Sequence, residues 1–252
     1  MPFLDLFSEV SDRYAAIRPQ YPDPLFARLA ALAPARERAW DCATGNGQAA
    51  LGLARWFERV DATDASASQL KHGSVHERIR YTVATAEASM LPDASVDIVT
   101  VAQALHWLDR PSFYAEAQRV LKPNGIIAVF GYTWFYISPE IDALVNEHLL
   151  QPAAAYWLPY NQLLWDGYRT VEFPFEELTS PRLAIYVRWN LEQVLAYYLT
   201  SSGPRAALRA LGNAFLLRAQ ELLREVWGDP DEPRQVVMPL GIRIGRHRID
   251  ER

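Results

Sequence analysis

The run Trp40-Asp41-Cys42-Ala43-Thr44-Gly45-Asn46-Gly47-Gln48 reads as a strand that turns through a glycine loop into a helix. Glycines at 45 and 47 let the backbone turn tightly and let a ligand approach with no Cβ in the way. The helix that follows presents unpaired N–H groups to a negative ligand group. Asp64 ends a second apolar run, 17 residues after Gly47. A carboxylate there can accept both ribose hydroxyls of a nucleoside lying over the sheet edge. The plainer alternative is a helix N-cap, because Asp64-Ala65-Ser66 precedes a helical segment. Gly45, Gly47 and Ala50 also satisfy the loose G-x-G-x-x-[G/A] dinucleotide pattern, so the glycines alone do not choose the nucleoside. Asp41, four residues before Gly45, argues against a dinucleotide, whose strand usually stays apolar up to the first glycine.

His106 lies in Gln103-Ala104-Leu105-His106-Trp107, after a fourth apolar run. Ligands of open α/β sheets sit at such strand ends. His106 is therefore the candidate general base or acceptor-orienting group, and the alternative is a histidine bonded to local backbone or packed on Trp107. Arg18 could grip a carboxylate bidentately, or could simply be a surface arginine beside Pro19. The single cysteine, Cys42, reads as a small buried hydrophobe rather than a nucleophile. One cysteine cannot form an intrachain disulfide framework and fits a reducing compartment. With no HExxH, no CxxC and no carboxylates at ligand spacing, no metal site is expected.

These residues need an alternation of strands and helices to hold them. Strands are predicted at Ala39–Ala43, Arg59–Thr63, Ile79–Ala84, Val96–Gln103 and Ile126–Tyr132, and helices at Ala49–Phe57, Ala65–His72 and Arg110–Leu121. The fourth strand is apolar nearly throughout, as a strand buried on both faces must be. The rhythm predicts an α/β fold, a doubly wound parallel sheet with right-handed crossovers. Beyond it the pattern changes. Residues 132–168 carry nine aromatics, residues 191–227 show helical apolar spacing, and Leu183–Trp189 and Val236–Ile244 are candidate strands. One domain is expected: a lead-in 1–38, a core 39–132, cap insertions 133–168 and 190–227, and closing strands 183–189 and 236–244.

The chain has 252 residues, half of them apolar, enough for a full core without staples. Its net charge of −5 argues against a nucleic-acid partner. The basic stretch Arg243, Arg246, His247, Arg248 reads as a solvated strand edge. The N-terminus carries Asp5 and Glu9 rather than a signal-peptide pattern. The longest apolar stretch, Ile126 to Ile137, is shorter than the roughly 20 residues a membrane span needs. A cytoplasmic protein with no membrane partner is expected.

Several segments occur together in order: the loop Asp41–Gly47, Asp64, Thr85-Ala86-Glu87-Ala88-Ser89-Met90-Leu91-Pro92, Ser95-Val96-Asp97-Ile98-Val99, and Arg119-Val120-Leu121-Lys122-Pro123-Asn124-Gly125. Over residues 39–132 the chain resembles the class I S-adenosylmethionine-dependent methyltransferases, in the branch called type 11. The lead-in Tyr14-Ala15-Ala16-Ile17-Arg18-Pro19-Gln20-Tyr21-Pro22 and the Gln103–Trp107 segment are similar to the trans-aconitate methyltransferase-like subgroup. The resemblance implies a Rossmann-like sheet of seven strands with an antiparallel C-terminal pair, and S-adenosylmethionine as cofactor. It implies that Asp41, Ala43, Gly45, Asn46 and Gly47 line the methionine half, with the two glycines nearest. It places Asp64 on the ribose, Ala65, Ala86 and Glu87 around the adenine, and Gln103 near the methionine amino group. Tyr14 and Arg18 would fold over the cofactor. Ala43 departs from the family, where many members have glycine, so a stiffer loop is implied. The acceptor implied is a small molecule, with carboxylate the type that the subgroup points to. A nicotinamide-dependent oxidoreductase and a non-catalytic S-adenosylmethionine-binding protein are the alternatives weighed against this reading.

Overall fold

A computed structural model of the chain describes residues 19–248. Tyr14 and Arg18 lie outside the described residues. Within them the chain forms two compact units. One comprises 20–133, 162–185 and the stretch from 239 onward; the other comprises Pro19, 134–161 and 186–238. The expected cap segment 133–168 is thereby divided, and Leu164 and Tyr168 belong with the sheet.

The first unit is built on parallel strands β1 (Arg38–Cys42), β2 (Arg59–Asp64), β3 (Ile79–Val83), β4 (Val96–Ala102) and β5 (Leu121–Tyr132). Between them come α1 (Asp23–Leu32, before β1), α2 (Gln48–Ala54), the single turn α3 (Ala67–Leu70) and α4 (Arg110–Val120). The strand order is β3-β2-β1-β4-β5, followed by β8 (Arg234–Arg246) and then β6 (Glu176–Leu178); β7 (Ala184–Trp189) also pairs with β8. β8 runs antiparallel to both β5 and β6. The chain turns back at β1 and β4, neighbours that lead their crossovers in opposite directions, and this switch point is where a ligand crevice forms in such sheets.

Alternation along the central strands sets the faces. Trp40 and Cys42 point to one side, where Val99, Val101, Ile127 and Val129 join Phe113 and Ala117 of α4 in a fully buried layer. Trp40 sits 6.2 Å from Phe113, and its indole N–H donates to Thr63 Oγ1 at 2.9 Å, so its polar end is satisfied. Cys42 is buried in this layer, and desolvation pushes its thiol well above the ordinary range. That is the hydrophobe expected of it, not a thiolate nucleophile.

The basic C-terminal stretch is not a solvated edge. β8 lies inside the sheet, and Arg243 and Arg248 pair with Glu177 and Glu176 on β6. β6 itself escapes sequence reading because Glu176-Glu177-Leu178 is short and polar.

The second unit is helical. α5 (Pro139–Val145), capped by Ser138, continues through a π turn at Asn146–Leu150 into Gln151–Ala153. α6 (Asn161–Trp165) lies in the first unit apart from Asn161, and α7 (Leu191–Leu199), α8 (Ser202–Leu211) and α9 (Ala214–Trp227) lie in the second. A capping box between Asn190 and Gln193 starts α7. The aromatics of this unit pack on one another: Trp134 meets Trp157 and Tyr198 edge to face, and Phe135 meets Tyr197. The buried Tyr198 hydroxyl donates to the Leu149 carbonyl at 2.8 Å. Among the described residues no helix is long and apolar enough to cross a membrane.

Candidate functional site

The C-terminal ends of β1, β2 and β4 bring most of the candidate residues together. Asp41 is completely buried in β1, where its register partner on β4 is Thr100. Its carboxylate accepts from Thr100 Oγ1 at 2.7 Å and from Thr44 Oγ1 at 2.5 Å. Desolvation pushes the Asp41 carboxyl up to about 6, against those hydroxyl hydrogen bonds, which hold it down. Asp41 therefore clamps the start of the loop to β4 from beneath. Thr44 and Thr100 escaped sequence reading, although a hydroxyl inside the apolar run Val96–Ala102 is the signal that marks Thr100.

The loop itself is left-handed at three positions. Gly45 and Gly47 have φ of 58° and 85°, and Ala43 has φ of 53°. Ala43 thus holds, at a cost of about 1–2 kcal/mol, the conformation that glycine takes freely. A Cβ on Gly45 would meet nothing within 4 Å, whereas one on Gly47 would lie 2.1 Å from the Tyr81 hydroxyl. The two glycines thus have different jobs. Gly45 leaves open space over the loop, and Gly47 gives way to Tyr81, whose hydroxyl donates to the Ser74 carbonyl at 3.0 Å.

Asp64 is tied to the same loop. One carboxylate oxygen accepts the Gly45 N–H at 2.9 Å, and the other accepts the Ser66 N–H at 2.8 Å. The cap of α3 is Ser66, which accepts from the Gln69 N–H, so Asp64 is not the helix cap. Each carboxylate oxygen retains a further lone pair for a ligand donor. Ala65 is exposed beside it, Ala86 is buried and Glu87 half-buried after β3. The 86–89 segment is pinned by the Ser89 N–H, which donates to Glu116 at 2.8 Å. The Arg119 guanidinium holds Glu116 down at about 2.

On β4 the strand end is strained in a second place. Gln103 has φ of 56°, and its buried side-chain oxygen has no hydrogen-bond partner among the described residues. A non-glycine residue in this region costs of order 1–3 kcal/mol and marks functional ground. Space for the amide comes from Gly131 on β5, where a Cβ would lie 2.1 Å from Gln103 Oε1. Gly131 faces Gly241 of β8 across the ladder, and Gly241 in turn makes room for Gly167.

His106 follows in a short 3-10 turn, Leu105–Trp107, and is buried. Its Nδ1 lies 3.0 Å from the Tyr168 hydroxyl, with the two rings stacked at 24°. Trp107, by contrast, is 55% exposed. Desolvation lowers the His106 imidazole to about 4. Tyr168 is a partner that sequence spacing could not supply, since 62 residues separate the two.

The chain is similar to known proteins. The family model described as a methyltransferase domain matches residues 40–129. A solved structure of a candidate type II methyltransferase from Anaeromyxobacter dehalogenans is 42% identical, covering 92% of this chain and 98% of that one with a TM-score of 0.87. The chain belongs to the class I S-adenosylmethionine-dependent methyltransferases. A candidate methyltransferase of Dictyostelium discoideum is 29% identical over 239 residues, which is 93% of this chain and 91% of that protein. The Bacillus subtilis YcgJ protein shares the fold alone, with 19% identity, a TM-score of 0.51, and 90% and 100% of the two chains covered.

S-adenosylmethionine is the cofactor of this methyltransferase family, and the match sets the nicotinamide alternative aside. The strand ends fit such a ligand on their own terms. Gly45 carries no side chain into the open space above the loop, and the Gln103 amide oxygen is buried and unpartnered at the neighbouring strand end.

Proposed function

We propose that this methyltransferase binds S-adenosylmethionine across the ends of β1, β2 and β4 and methylates a small molecule that presents a carboxylate. The observation that carries the binding site is the Asp64–Gly45 hydrogen bond beneath an open loop face. In this reading the second lone pairs of the Asp64 oxygens take the ribose hydroxyls. Ala65, Ala86 and Glu87 surround the adenine. Asp41, Ala43, Gly45, Asn46 and Gly47 shape the methionine half, with Asp41 acting from below through Thr44. Gln103 answers the amino group. Tyr14 and Arg18 remain assigned to the cofactor by the family resemblance.

The cofactor supplies a methyl group activated by a sulfonium centre, so the protein's task is position and electrostatics. His106 stands at the end of β4, where it orients the acceptor. With its imidazole lowered to about 4, it stays neutral at physiological pH. A carboxylate acceptor suits a neutral histidine, because it is already ionised and needs no base. Against a nucleic-acid acceptor stand the net charge of −5 and the pairing of Arg243 and Arg248 with acids on β6.

The test is incubation with methyl-labelled cofactor and a pool of small carboxylic acids, read by mass spectrometry. Label in a methyl ester supports the proposal. Label in RNA or DNA contradicts it, and cofactor binding without transfer to any pool favours the non-catalytic alternative.

A further inference from the structure

Between β3 and β4 the chain passes two strands, β2 and β1, on residues 84–95 that carry no helix. We propose that Glu116 and Arg119 of α4 are positioning residues for the adenine of the cofactor: they clamp Ser89 and Leu91 of this crossover and so set Ala86 and Glu87 against the base. The adenine half of this inference rests on the function proposed above; the clamp half does not.

A crossover without a helix has no ladder of its own to satisfy its backbone. Glu116, buried on α4, takes over that duty. Its Oε1 accepts the Ser89 N–H at 2.8 Å and also the Ser89 hydroxyl. The Leu91 N–H donates to Ser89 Oγ at 3.2 Å, so the hydroxyl is used in both directions. Arg119, three residues further along α4, closes the clamp. Its Nε and Nη2 donate to Glu116 Oε2 and Oε1 at 2.8 and 2.7 Å, the two-pronged geometry that a guanidinium supplies. The same Nη2 donates to the Leu91 carbonyl at 2.8 Å, and Nη1 meets Asp93. The Arg119 carbonyl then accepts the Ala94 N–H at 2.9 Å.

The clamp grips both neighbours of Met90, which is left-handed at a φ of 61° and 72% exposed. A non-glycine residue holds that conformation when its surroundings over-determine it. To either side the chain returns inward, since Ala86 and Leu91 are both buried in the layer of Trp40, Cys42 and Val99. The depth and angle of the 86–91 turn are therefore set from α4. Among the described residues the N–H groups of Ala86 and Glu87 make no hydrogen bond. A turn held this firmly, with main-chain donors to spare, can read the edge of a planar base. The Arg119 guanidinium holds the Glu116 carboxyl down at about 2, so the clamp stays ionised at neutral and mildly acidic pH.

The experiment is calorimetric titration of the full chain with S-adenosylhomocysteine and with the same molecule carrying hypoxanthine in place of adenine, which reverses donor and acceptor along one edge of the base. The unaltered protein is expected to prefer adenine. Arg119→Met should weaken adenine binding by about tenfold, the scale of one lost hydrogen bond, and shrink the preference. Arg119→Lys, which keeps the charge but not the fork, should fall between the two. Urea unfolding of each variant reports stability separately. A less stable variant whose two affinities are unchanged, or weakened equally, overturns the proposal, because a merely structural clamp would do that. Should Arg119→Met not fold, Ser89→Ala, which removes one hydroxyl, should show a smaller loss of preference, and an unchanged preference there overturns the proposal. Equal binding of the two molecules by the unaltered chain overturns it as well. Binding of neither overturns the function proposed above and the adenine duty with it, whereas adenine binding with an unmoved preference overturns the clamp alone.

Discussion

Asp64 Oδ2 accepts the Gly45 N–H at 2.9 Å, so a carboxylate at the end of β2 holds the glycine loop that follows β1. One side chain thereby shapes the loop and still offers lone pairs to a ligand. The two duties carry different signatures in mutants.

Asp64→Ala should weaken S-adenosylmethionine binding by ~1.5–3 kcal/mol, the scale for hydrogen bonds to a charged group, or roughly 10- to 150-fold in affinity. It should also lower stability by about 1 kcal/mol, because the Gly45 and Ser66 N–H groups lose their acceptor. Calorimetric titration and urea unfolding of the same preparation check both. A stability loss with unchanged affinity would leave Asp64 with the structural duty alone.

Gly47→Ala should destabilise the fold through Tyr81. The added Cβ would sit 2.1 Å from the Tyr81 hydroxyl at a backbone φ of 85°. The left-handed cost of about 1–2 kcal/mol adds to the clash. Tyr81→Phe in the same chain removes the offending oxygen and should recover the clash but not the backbone cost. Urea midpoints of the single and double variants measure this. Additive losses would show that the two residues do not meet.

Asp41 predicts a pH-dependent stability. Its folded carboxyl, raised to about 6 by burial, holds its proton more tightly than the unfolded chain does. The favourable contribution is complete below about pH 4 and is lost as pH rises through about 6. Across that window the stability of the protein relative to Asp41→Asn should fall by up to about 3 kcal/mol, the upper bound set by a shift of this size. Parallel curves for the two proteins would contradict a buried, shifted Asp41.

His106 moves the pH window of catalysis. Its imidazole, lowered to about 4, is neutral far below the ordinary histidine range. Turnover of a carboxylate acceptor should therefore stay flat from about pH 8 to about pH 5, and His106→Ala should reduce it only modestly. Loss of a true base costs 10²–10⁴-fold. A rate that falls near pH 6.5, the ordinary histidine value, and loses that fall in His106→Ala would contradict the assignment.

The sheet was legible because its signals are local. Apolar runs spaced by glycine, proline and helical stretches located β1 through β5 to within a few residues, and the loop from Asp41 to Gly47 with Asp64 beyond it followed from spacing. β6 was not legible, because Glu176-Glu177-Leu178 is three residues long and polar. Arg243 of β8 looked solvated because its partner, Glu177, lies 66 residues away in sequence. Tyr168 stayed hidden among aromatics expected to form a cap. Its contact with His106 joins residues 62 apart in the chain and leaves no periodic trace. The different duties of Gly45 and Gly47 likewise depend on where Tyr81 stands.

The most direct measurement is isothermal titration of the purified chain with S-adenosylmethionine, its demethylated product and NAD. The account predicts saturable one-to-one binding of the first two at a shared site, weakened in Asp64→Ala, and no binding of NAD. Binding of NAD with none of S-adenosylmethionine would contradict it.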